Sequence, residues 1–259
     1  MNIRSSALLC CLVAAAAWVP CARADYDRDP YSATIARESW DLIGRTEMAN
    51  GIPSGLLHAM SLTETGQGMS GWMMPWPYTV GVNSPGKKDY LKLQHALNDV
   101  AWFRKMGFVR FDVSVNGKSI NGLKADAVTV LFNVYPTATG YTIKPQPFGR
   151  RFASATEARG FVDKMFGFGH KNLDLGLMQI NYKVHGHKFR SVNELFNPVV
   201  NVNYAASYLM EHKQTRDWWG SVGRYHSGTQ MYARKYISTV YKWYKRVHDY
   251  NSGRQIAVR

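Results

Sequence analysis

The chain has 259 residues, and its 32 Lys and Arg against 18 Asp and Glu give a formal net charge of +14. That length fits one domain with elaborations or two small ones, and the surplus of cations speaks for a polyanionic partner without choosing among nucleic acid, anionic lipid and a carboxylate-bearing cell wall. Neither G-x-x-x-x-G-K-S/T nor a strand-linked G-x-G-x-x-G is present, which argues against nucleotide enzymes, and no G-x-S-x-G elbow supports a serine hydrolase.

The chain opens as a targeting signal. Arg4 supplies a positive start, residues 7–19 are apolar, and Ala22-Arg23-Ala24 is a small-x-small cleavage site, so residues 1–24 are expected to be a signal peptide and the mature protein to begin at Asp25. The apolar run is too short to span a bilayer comfortably, and no transmembrane segment is expected in the mature chain. Cys10, Cys11 and Cys21 all fall in the leader, leaving no thiol or disulfide chemistry afterwards. Pro20 before Cys21 fits poorly with a lipid anchor. Losing the leader leaves 235 residues of the 259, and losing Arg4 and Arg23 lowers the charge from +14 to +12.

The remainder, 25–259, reads as mainly helical. Ile35, Leu42, Ile43 and Thr46 form a helical stripe that Asn50-Gly51 ends, with Glu38, Asp41 and Glu47 expected on solvated faces. The next helix is opened by Pro53 and closed by Gly66. In it, Glu64 follows Leu56, Leu57 and Met60 by eight, seven and four residues, on the core-facing stripe. Either this carboxyl is buried, with its pKa raised as a general acid requires, or it bends out to solvent at the helix end. Tyr90 to Met106 looks helical, and Asn116-Gly117 between Val113–Val115 and Lys118–Ile120 is a hairpin signal. With the Pro-punctuated loops Pro75-Trp76-Pro77 and Lys144-Pro145-Gln146-Pro147 around it, the segment at about 82–143 is expected to be a small α/β insert. Ser154 to Glu157 is a capping box, followed by Ala158, Phe161, Val162, Met165 and Phe166 at helical spacing. Asn197-Pro198 starts a helix with Val199, Val202, Ala206 and Leu209 on its buried stripe, and Thr229 opens a long terminal helix.

Four further features carry chemistry or packing. Gly176-Leu177-Met178-Gln179-Ile180-Asn181 sets a permissive glycine beside amides that hydrogen-bond sugar hydroxyls and acetamides, or else is a strand with a turn. Tyr225 in Tyr225-His226-Ser227-Gly228 either donates to a carboxylate or is a satisfied core residue. Trp72, Trp76, Trp218 and Trp219 offer faces to sugar rings or simply pack. Asp174 either faces Glu64 as a second carboxylate or caps a turn. His185-Gly186-His187 lacks partners at metal-ligand spacing, so no metal is expected.

In this order, Gly51-Ile52-Pro53, Glu64-Thr65, Gly176 to Gln179, Asn197-Pro198 with Asn201, and Tyr225 to Gly228 resemble the soluble-type lytic transglycosylases. Pro75 to Thr79 and Asp174 to Asn181 look like the subset that accompanies type IV secretion and conjugation. Three positions depart from the family pattern: Thr65 stands where Ser is usual, His226 where Asn is usual, and no serine is matched before Gly176. The resemblance implies an α+β, mainly helical fold with a goose-type lysozyme-like catalytic domain interrupted by the insert. It implies Glu64 as catalytic acid and Thr65, Met178, Gln179, Tyr225 and His226 as substrate-binding, with Tyr225 orienting the carboxyl and no cofactor. The implied partners are peptidoglycan glycan strands and components of a secretion or conjugation apparatus, not nucleic acid, in the periplasm or outside the cell. Two rival readings are a hydrolytic muramidase using Asp174 and a non-catalytic wall-binding or assembly protein.

Overall fold

The computed structural model describes residues 30–69 and 72–251; the leader, its cleavage site and the cysteines lie outside the described residues. α1 (Pro30–Ala49) buries Ile35, Ala36, Ile43 and Thr46 and half-buries Leu42, as the stripe predicts. Glu47 corrects the expectation of a solvated side chain, because it too is buried. It lies one helical turn after Ile43, on the face that packs toward α2 (Leu56–Thr65). Its carboxylate accepts from the N–H groups of Gly55 (2.8 Å) and His58 (3.1 Å), so an acid of α1 satisfies orphan donors at the start of α2. That start falls after Gly55, whose φ of 86° is left-handed, and not at Pro53. Leu56, Leu57 and Met60 are wholly buried, and each contributes roughly 1.5–3 kcal/mol of apolar burial.

After α2, β1 (Gln67–Met69) and β2 (Trp72–Met74) form an antiparallel pair. β3 (Thr79–Val82) then enters a four-stranded sheet that the chain leaves at once for the middle segment. That segment contains β4 (Lys88–Tyr90), α3 (Leu93–Met106), β5 (Arg110–Val115), β6 (Lys118–Lys124), α4 (Ala125–Val134) and β7 (Tyr141–Pro145). Its sheet runs β4-β7-β5-β6 and is antiparallel throughout. Alternation along β5 and β7 buries Phe111, Val113, Val115, Tyr141 and Ile143, on the face where α3 and α4 pack. Asn116 and Gly117 turn the β5–β6 hairpin with φ of 50° and 78°, as an Asn-Gly pair does in a two-residue turn.

β8 (Phe148–Arg151) returns to pair with β3, Val82 opposite Phe148 and Thr79 opposite Arg151. α5 (Ala155–Gly167) starts at the predicted cap: Ser154 Oγ accepts from Glu157 N at 3.2 Å, while the Glu157 carboxylate takes the N–H of Ala153. β9 (Leu173–Leu175) and β10 (Ile180–Asn181) complete the first sheet in the order β10-β9-β3-β8. The short helices α6 (Tyr182–His185) and α7 (Val192–Leu195) lead to α8 (Pro198–Lys213), α9 (Trp218–His226) and α10 (Gln230–Asn251). Asn197 Oδ1 caps α8 through Val199 N and Val200 N. Val199 itself is exposed, contrary to the stripe, because it stands in the first turn and burial shifts to Asn201, Val202, Ala205, Ala206 and Leu209. The protein is thus mixed α/β with helix in the majority, and no helix among the described residues is long and apolar enough to cross a membrane.

Candidate active site

Glu64 sits at the last turn of α2, half-buried, where the helix ends against other elements. Its surroundings follow from how that end is fixed. The Thr65 hydroxyl donates to Ser61 O (3.1 Å) and Leu177 O (3.0 Å) and accepts from Trp76 N (3.3 Å). The Arg151 guanidinium, largely buried, donates through Nη2 to the carbonyls of Thr65 (3.3 Å) and Gly66 (2.5 Å). A cation thus meets the negative end of the helix dipole, where the last carbonyls lack helical partners. Burial lowers the Arg151 pKa to about 10, so the group stays charged in neutral water. Glu64 is therefore carried on a helix whose start is held by Glu47 and whose end is held by Thr65 and Arg151.

Opposite this end lies the turn between β9 and β10. Gly176 has φ of 80°, and a Cβ there would stand 2.2 Å from Leu195 O and 2.4 Å from Asn201 Nδ2. Only glycine fits that approach. Asn201, fully buried, clamps the turn: Nδ2 donates to Leu175 O (3.0 Å) and Leu195 O (2.9 Å), and Oδ1 accepts from Met178 N (2.8 Å). Gln179 takes a left-handed φ of 48°, and its Nε2 donates to Gly176 O (2.8 Å) and Thr79 O (3.2 Å). A Cβ at Gly81 would lie 2.8 Å from Gln179 Oε1, so the Gln179 amide would have to shift to admit one.

Burial raises the Glu64 pKa to about 8; Tyr236 opposes that rise, and the charge of Asp174 adds to it. The residue keeps some surface, yet its carboxyl lies under enough protein for loss of water to outweigh the other two effects. The phenol facing the carboxyl is Tyr236 of α10, whose buried hydroxyl makes no hydrogen bond of regular geometry. The hydroxyl of Tyr225 donates to Met178 O at 2.8 Å. Both phenols are held well above the usual tyrosine pKa by burial first and then by the Glu64 charge, which places Tyr225 in the same electrostatic neighbourhood.

The other expected substrate contacts divide. Thr65 and Met178 are fully buried; the Thr65 hydroxyl ties α2 to the turn, and the Met178 N–H ties the turn to Asn201. Gln179 keeps partial exposure. His226 stacks on Tyr236 with ring centroids 4.3 Å apart and planes at 3°, and burial lowers its pKa to about 4, so a neutral imidazole backs the phenol. Trp76 is wholly buried, its Nε1 donating to Phe152 O (2.8 Å), and offers no face to a sugar. Asp174 is buried in β9; its oxygens accept from Asn83 Nδ2 and Asn181 Nδ2, each at 2.7 Å. Among the described residues, no group of three or more His, Cys, Asp or Glu side chains gathers as a metal site.

Tyr236 and Arg151 escape the sequence reading. Tyr236 precedes Val240 by four residues and Val247 by eleven, which places it on the buried face of α10. Arg151 has no comparable signal, since no spacing distinguishes it from the adjacent Arg150.

Residues 156–248 match the family described as Transglycosylase SLT domain. A lytic transglycosylase domain is therefore present from α5 into α10; it supplies the Gly176 turn, Asn201, Tyr225 and Tyr236, while Glu64 and Arg151 lie before it. The match supports lytic transglycosylase action on peptidoglycan in general, and the helix-rich α/β architecture is consistent with such a domain. No curated protein and no solved structure matches the chain.

Proposed function

We propose that this is an exported peptidoglycan lytic transglycosylase with Glu64 as its acid and base. The observation that carries the reading is a carboxyl held protonated, pKa about 8, across from the Gly176–Gln179 turn of the matched domain. Protonated Glu64 donates to the glycosidic oxygen between N-acetylmuramic acid and N-acetylglucosamine, and the C1–O bond breaks with help from the substrate's acetamide. The resulting carboxylate takes the proton of the muramyl 6-hydroxyl as that oxygen attacks C1, closing a 1,6-anhydro ring. No water is consumed, and tethering of the nucleophile supplies an effective molarity of roughly 10⁵ M or more. The partial exposure of Gln179 supports a contact with sugar through Oε1, since its Nε2 is committed to Gly176 O and Thr79 O. The leader and the resemblance to secretion-associated enzymes support a periplasmic enzyme that opens the wall for a type IV secretion or conjugation apparatus.

Asp174 supports a second reading, because its charge acts on Glu64 and a carboxylate pair is what a hydrolytic muramidase uses. Mass analysis of products from purified sacculi separates the two. Transglycosylation gives an anhydro product lighter by one water than the hydrolytic product. Glu64→Gln should abolish cleavage while Asp174→Asn keeps substantial activity. Hydrolytic products, with both variants folded and inactive, would establish the muramidase. Binding of intact strands without cleavage by the wild type would leave a wall-binding protein.

A further inference from the structure

α10 has two unlike faces. Its inner face buries Tyr236, Val240 and Val247. Its outer face exposes Arg234, Lys235, Lys242, Lys245 and Arg246, and the helix holds a single acid, Asp249, close to its end. At about 100° per residue these cations fall in one arc of about 120°, over a length of about 18 Å. None of them has a carboxylate within ion-pair distance among the described residues, although cations elsewhere do: Lys87, Lys88, Arg104 and Arg159 are each paired with an aspartate. The same helical spacing sets Tyr241 on one side of the arc and Trp243 on the other. Lys245 lies over the Tyr241 ring at 5.1 Å and Arg246 over the Trp243 ring at 4.9 Å.

We propose that this face docks on an anionic phospholipid surface. A stripe of five cations with one acid at its end repels itself and is stabilised by outside anions, and the shape of the stripe selects which. A convex helix face forms no groove to wrap a glycan or peptide, whereas lipid phosphates are laterally mobile, lie in a plane and need no preformed pocket. Tyrosine and tryptophan beside the cations suit the headgroup layer, where rings with one polar edge collect. The inference goes beyond the proposed reaction and does not rest on it, because none of these side chains belongs to the Glu64 site.

The test is co-sedimentation of the mature protein with phosphatidylglycerol vesicles and with phosphatidylcholine vesicles at low and high salt. Binding to the anionic vesicles alone, weakened by salt, is expected. Each cation near such a surface contributes about fivefold in partitioning, so the variant R234Q/K235Q/K242Q/K245Q/R246Q should bind at least about a hundredfold more weakly. A variant of equal charge loss in the middle segment, K92Q/K105Q/K118Q/K124Q/K144Q, should stay within about threefold of wild type, with thermal melts confirming that both variants fold. Equal binding to neutral vesicles, equal losses in the two variants, or dependence on the α10 cations for sacculi but not for vesicles would each overturn the proposal. Glu64→Gln should bind vesicles like wild type, so failure of the proposed chemistry and failure of docking remain distinguishable.

Discussion

A carboxyl that keeps its proton in the folded state makes stability depend on pH, whatever reaction it serves. The Glu64 pKa is about 8 in the native protein against an ordinary 4.5. Between those values the unfolded chain releases a proton that the native protein retains, so stability falls as pH rises. The contribution is complete below about pH 4.5 and fully lost above about pH 8, with a slope of at most about 1.4 kcal/mol per pH unit between. From pH 5 to pH 8 the full shift amounts to about 3.5 kcal/mol, and allowing for the carboxyl's partial access to water leaves about 2–3 kcal/mol. Glu64→Gln keeps the shape but cannot ionise. Urea denaturation of wild type and Glu64→Gln at a series of pH values should therefore show the variant gaining on wild type by that amount, with the gain levelling off above pH 8. A difference that stays constant with pH, or that favours wild type as pH rises, would refute the burial argument. This measurement needs no substrate.

Three other perturbations address how the site is held. Gly176→Ala places a Cβ against Leu195 O and the Asn201 amide, so it should cost more than about 3 kcal/mol or prevent folding, whereas Gly68→Ala, with nothing within 4 Å, should stay within about 1 kcal/mol; thermal melts compare them. Glu47→Ala leaves Gly55 N, His58 N and His58 Nδ1 without their acceptor in a buried place, and urea titration should show a loss of about 3–5 kcal/mol. Arg151→Met removes two charge-assisted hydrogen bonds at the end of α2 and should lower kcat on sacculi more than it raises KM, with Arg151→Lys recovering part of the loss; an unchanged kcat in the folded Met variant would show that this cation does not position Glu64.

What the sequence reveals here depends on how local each cause is. The Ser154–Glu157 cap and the Asn116-Gly117 turn are legible because both donor and acceptor lie within a few residues. Gly176 is legible as a special position, but the reason for it is not: the atoms that exclude a Cβ belong to Leu195 and Asn201, far along the chain. Glu47 reads as solvated because an acid on a surface helix usually is, and only the arrival of α2 supplies the donors that permit its burial. The approach of Tyr236 to the carboxyl is hidden for a like reason. Tyr225 and Tyr236 both stand on helices beside the site, and which phenol meets the carboxyl depends on the packing of α10 against α2, which no spacing within either helix reveals.

The middle segment leaves the first sheet after Val82 and rejoins it at Phe148, and those two residues are paired neighbours on β3 and β8. To that sheet, everything between them is one closed loop, whose added length costs only about 2–3 kcal/mol in closure entropy relative to a tight turn. The excursion brings its own sheet, which offsets that cost, and its buried side chains run on into the core that holds α2, with Phe108 edge-on to Phe148 and His170. The constraint falls at the seam, since β8, which closes the loop, also carries the guanidinium that holds the end of the Glu64 helix.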